Sequence, residues 1–286
     1  MRLGKTEEIN KTFESSTITF GCAANWLDYA FKYNIKTGDF FEGVFAQVSE
    51  KEQKSAEKEL VDKEGNPMGD NLIIIKDPIH KTSLLSYQPI ILMPVFCLYS
   101  FSEAINKELF NVTESDPDSG MWKFDLDDYR SFMEYKEEES SFLFITDSER
   151  FFNDLKKAIP SAIEINRTNL TTERFYGDFN TEEALFADFV DYDKHNADEL
   201  FFDTPGQMKN LFWKLPKYEK QAELRLVIPN INYVQMFNRE HYDFSKNTLD
   251  VYVPDLQQYT QVITAKEAHF LRFTIRKQPL KEHYAT

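Results

Sequence analysis

Apolar residues in this sequence come in short runs broken by turn residues, and that spacing limits the possible folds more than any other feature. The most apolar stretch, Pro89–Tyr99, is 11 residues long and carries Pro89 and Pro94. A membrane-spanning helix needs about 20 residues, so the stretch reads as a buried strand and no membrane partner is expected. Thr17–Phe20, the FFEGVFAQV segment after Gly38-Asp39, Leu72–Lys76, Pro94–Ser102, Ser141–Ile145 and Ala222–Ile228 have the length and content of strands. So do Asp250–Val253, Tyr259–Ala265 and Phe270–Ile275. Helical spacing fits Ala23–Tyr33, Glu103–Phe110, Asp125–Glu139 and Gly206–Trp213. Asp147 is placed to cap a further helix, ending near Ile159-Pro160. Gly65–Asn71 and Ser115–Gly120 are turn or loop clusters.

Strands and helices therefore mix without regular βαβ order. This predicts an α+β fold, a mixed and mostly antiparallel sheet with inserted helices. At 286 residues a single domain spanning 1–286 is expected, with an exposed charged arm near 49–71, where Glu and Lys crowd Ser49–Glu64. The 43 aromatic residues (26 Phe, 14 Tyr and 3 Trp) supply an ample core.

Charge narrows the partners. With 33 Lys+Arg against 48 Asp+Glu the formal net charge is −15, which argues against direct nucleic-acid binding, since phosphate must be met by Lys and Arg. The acidic stretches 114–139 and 175–203 suit docking to a basic protein, or imitation of DNA, with a strong dependence on salt. Met1–Phe13 has no apolar signal segment. Cys22 and Cys97 read as reduced core thiols, so a cytoplasmic protein is expected. None of the nine glycines forms GxGxxG. The five histidines are scattered, with no metal-ligand spacing. One order resembles that of a magnesium-dependent nuclease: Pro117-Asp118 followed by Glu134-Tyr135-Lys136, carboxylates for the metal and a lysine for the water. It is the third reading, since Glu134 falls in a helical, acidic segment.

The segment FWKLPKYEKQAELRLVI (212–228) offers the most chemistry. On a strand, Gln221, Glu223 and Arg225 project from one face while Leu224 and Leu226 project from the other. A half-exposed strand of no special function would show the same alternation. A Gln-x-Glu pair is, however, similar to that of ADP-ribosyltransferases. Cleavage of the nicotinamide–ribose bond of NAD develops an oxocarbenium-like centre that a fixed carboxylate stabilises. On that reading Glu223 is the catalytic carboxylate and Gln221 orients the acceptor. Arg2, Ser100, Ser102 and Arg225 then contact NAD, guanidinium being suited to paired phosphate oxygens. A frayed surface Arg2, and cap or strand-end hydroxyls at Ser100 and Ser102, are the plainer alternatives.

Four pieces of the chain resemble an uncharacterised family of bacterial and phage proteins often encoded near defence and mobile-element genes. They are ITFG (18–21) with GDFFEG (38–43), VFCLYS (95–100), FLFITDSERF (142–151) and KYEKQAELRLVI (217–228). The resemblance implies a compact α+β domain. Asp39, Glu42 and Tyr218 fall within these pieces and are further candidates, with glycine-bounded turns as the alternative for the first two. The sequence lacks the Ser-Thr-Ser triplet of the transferases. The leading expectation is an NAD-consuming or ADP-ribosylating effector of toxin or phage-defence type. The second is an acidic, non-enzymatic binding or inhibitor protein.

Overall fold

The computed structural model describes residues 1–33, 43–49, 53, 71–77, 82–99, 119–123, 136–171, 184–192, 208–214, 219, 222–238, 241–268 and 272–276. Nearly all of the expected arm near 49–71, the helix expected over 103–110 and most of the acidic stretches 114–139 and 175–203 lie outside these residues.

The chain begins with strand β1 (Arg2–Lys5) and helix α1 (Thr6–Ser15), followed by β2 (Thr17–Phe20) and α2 (Ala23–Tyr33). Then come β3 (Val44–Ser49), β4 (Leu72–Asp77), β5 (Thr82–Tyr87), a helical turn α3 (Gln88–Ile91), β6 (Val95–Tyr99) and β7 (Ser119–Lys123). The second half contributes β8 (Ser140–Ile145), the long helix α4 (Ser148–Ile165), β9 (Leu170–Thr171), β10 (Phe186–Phe189), β11 (Glu223–Val227) and β12 (Asn232–Tyr233). It closes with β13 (Leu249–Tyr252), β14 (Thr260–Thr264), α5 (Ala265–Ala268) and β15 (Arg272–Arg276).

The class is α+β. The strands form several small sheets, ordered β1-β8-β14, β10-β11-β6, β3-β5-β4, β12-β9, β13-β2 and β15-β7. Every pairing between these named strands is antiparallel. The one parallel element among the described residues is a single bridge, Asp191 to Trp213. Three of the sheets, β13-β2, β10-β11-β6 and β1-β8-β14, are tied to one another. Gly21 and Val95 exchange both backbone hydrogen bonds, at 3.0 and 2.8 Å, which sets the end of β2 against β6. The Tyr99 amide donates to the Met1 carbonyl at 2.6 Å and ties β6 to the start of β1.

One large apolar cluster unites side chains of α2, β2, β6, α4, β11 and β13. Helix α4 shows how the sequence builds it. Phe151, Leu155, Ile159 and Ala162 recur at helical spacing and are buried, and this stripe packs on β13. Asp147 caps the helix, its side chain accepting from the Arg150 amide at 2.9 Å. The expected end near Pro160 is overturned: the helix continues to Ile165. Pro160 is on the exposed side, and the apolar stripe continues past it to Ala162, so burial outweighs the missing N–H. Replacing Asp147 with Ala should lower unfolding free energy by about 1 kcal/mol, read as a reduced urea midpoint. A midpoint equal to that of the parent would show that the cap contributes nothing.

The apolar stretch 89–99 is also corrected. Its first part is the helical turn α3, with Pro89 in the first turn where its missing N–H costs nothing. Only Val95–Tyr99 is strand. Ser119-Gly120, expected in a loop, begins β7, and the helix expected at 206–213 is a short 3₁₀ turn over Met208–Leu211. Among the described residues no helix is long and apolar enough to cross a membrane.

Candidate functional site

Strand β11 is central in its sheet, between β10 and β6, so both of its edges are hydrogen-bonded. Ala222 leads into it with φ of +42°, a left-handed conformation that crowds its Cβ. The register pairs Glu223 with Tyr99 and Arg225 with Cys97. Paired residues project to the same side, so Glu223, Arg225, Cys97 and Tyr99 share one face, and Leu224, Leu226, Phe96 and Leu98 share the other. The sequence reading of Glu223 and Arg225 on one face agrees with this arrangement. The plainer alternative, a half-exposed strand, does not hold, because both faces are covered and Leu226, Phe96 and Leu98 are buried as well. Glu223 is 4% exposed and Arg225 0%, while Leu224 on the opposite face is half-buried.

What covers the polar face is the segment 208–214. Lys214 Nζ donates to Glu223 Oε2 at 2.7 Å, and Arg225 Nε donates to Glu223 Oε1 at 2.6 Å. A second guanidinium nitrogen, Arg225 Nη1, donates to the Leu211 carbonyl. The guanidinium carbon lies 5.2 Å from the centroid of the Trp26 ring on α2. The Glu223 amide donates to the Tyr192 hydroxyl at 3.1 Å. The covering segment is itself fixed by backbone bonds. Asp191 N–H donates to Phe212 O at 2.8 Å and Lys214 N–H to Asp191 O at 3.2 Å. The Trp213 indole donates to Val44 O at 3.0 Å.

Burial alone would raise the Glu223 carboxyl pKa. The adjacent Arg225 and then Lys214 outweigh it and hold the group well below the usual carboxylate range. Its neighbours move the other way. Burial, reinforced by the Glu223 charge, pushes the Cys97 thiol well up and the Tyr99 hydroxyl up to about 12. Neither is a nucleophile at neutral pH, because each is held protonated. The trio is thus an ionised carboxylate gripped by two cations, with neutral thiol and phenol groups around it.

Arg2 does not join it. The Arg2 side chain is half-buried, with its guanidinium 4.7 Å from the Phe96 ring centroid, and Phe96 belongs to the face of the β6–β11 pair opposite Glu223. Nor is Arg2 frayed, because its strand pairs with β8 in the register Arg2 to Leu143. Gln221, Ser100, Ser102, Asp39, Glu42 and Tyr218 lie outside the described residues. So do Asp118 and Glu134 of the nuclease-like order, whose Lys136 is exposed. Among the described residues, no three His, Cys, Asp or Glu side chains gather as a metal would require.

Lys214 was not singled out by the sequence. It is nine residues before Glu223, in a loop, and reaches it by a tertiary contact. A signal for burial was nevertheless present: a Glu-x-Arg pair followed by Leu226, Val227 and Ile228 stands in a strand apolar enough to be covered on both faces, and buried charges require partners. No family model, curated protein or solved structure matches this chain.

Proposed function

We propose that this chain is an acidic, non-enzymatic binding protein that docks a basic partner, and that Glu223 serves its architecture. The observation that carries this reading is the formal charge of −15 in a protein whose best catalytic candidate has both oxygens committed to internal cations. Carboxylates such as Glu7, Glu8, Glu138, Glu139 and Glu267 stand exposed around one end of the β1-β8-β14 sheet. Excess charge of one sign steers an oppositely charged protein and speeds encounter. The test is capture from cell lysate by the immobilised full chain at two salt concentrations. A basic protein should be retained near 0.1 M salt, where the Debye length is about 10 Å, and released near 1 M, where it is about 3 Å. Displacement by added duplex DNA would identify the DNA-mimicking form of this activity. Retention of nothing basic, or retention indifferent to salt, would overturn the proposal.

One observation favours the second reading, consumption of NAD. Glu223 is held ionised beside Arg225 on one face of a strand, the state in which a carboxylate steadies a ribose cation. For a role in ribose chemistry Glu223 must exchange Lys214 or Arg225 for the sugar, at the cost of an unpaired buried cation. On the docking reading, NAD incubated with the folded protein, with and without lysate, stays intact by mass spectrometry. Loss of nicotinamide or an ADP-ribose adduct would reverse the order of the two readings.

A further inference from the structure

We draw no further inference here: the strongest candidate, the group of exposed carboxylates Glu7, Glu8, Glu138, Glu139 and Glu267 at one end of the β1-β8-β14 sheet, carries nothing because no second observation at that place points to a ligand.

Discussion

Glu223→Gln should destabilise the protein by about 3–5 kcal/mol, the range found when one partner of a buried ion pair is removed. The amide keeps the shape of the side chain but not its charge. Arg225, fully buried, and Lys214 would be left without the carboxylate that both now contact. Urea unfolding followed by tryptophan fluorescence reads the loss as a lower midpoint at an unchanged slope. A variant within about 1 kcal/mol of the parent, below the range for a broken buried pair, would show the trio to be dispensable. A triple variant separates charge from packing. Lys214→Met, Glu223→Leu and Arg225→Met together replace the ions by apolar groups of similar volume, and such replacements are often neutral or stabilising. It should therefore be more stable than Glu223→Gln alone.

Acid sharpens the same expectation. The folded carboxyl of Glu223 titrates below its unfolded counterpart, which lies near 4.3. As pH falls, the unfolded chain takes up this proton first. The contribution of Glu223 is therefore fully present above about pH 5 and is lost progressively below that, toward the depressed folded value. Glu223→Gln has no such proton to bind, so its stability should fall less steeply with acid than that of the parent. Parallel curves from pH 6 downward would mean that other carboxylates dominate the acid transition.

Phe151→Ala should cost about 3–5 kcal/mol, as aromatic truncations in packed cores do. Phe151 is fully buried and stands edge-on to Phe152, with ring centroids 5.6 Å apart. It is the first member of the stripe that seats α4 on β13. Ile165, at the end of the same helix, is 81% exposed. Its replacement by Ala should leave stability within about 0.5 kcal/mol. Equal effects at the two positions would contradict the assigned face of the helix.

Much of this architecture was legible because local pattern and tertiary environment agree. Thr17–Phe20, Asp250–Val253 and Tyr259–Ala265 read as strands, and β2, β13 and β14 form there within one residue at each end. Helix α4 was expected from its Asp147 cap as far as Ile159-Pro160, and there the local rule for proline misled, since it ignores what the far side of the helix buries. Strand β1 escaped notice because RLGK has no strand-like run of its own. Its partners are Ser140–Leu143, some 140 positions away. Strand β5 was missed as well. Its residues 83–86 are all buried, so the Ser-Leu-Leu-Ser order has no alternation to detect. At the site, period two placed Glu223 and Arg225 together. No periodicity could supply Leu211, at the end of a 3₁₀ turn, or Lys214, in the loop after it, or warn that Arg2 would stand on the Phe96 side.

The way 208–214 is held against β11 has a consequence for the uniqueness of the native state. Apolar contacts tolerate a slide of one position with modest loss, because any greasy neighbour will do. A tether made of one anion between two cations does not. Moving Lys214 or Leu211 by a single step along the strand would strand a charge and a guanidinium donor at once, so this alignment is all-or-none, and the misthreaded alternatives are priced out of the ensemble.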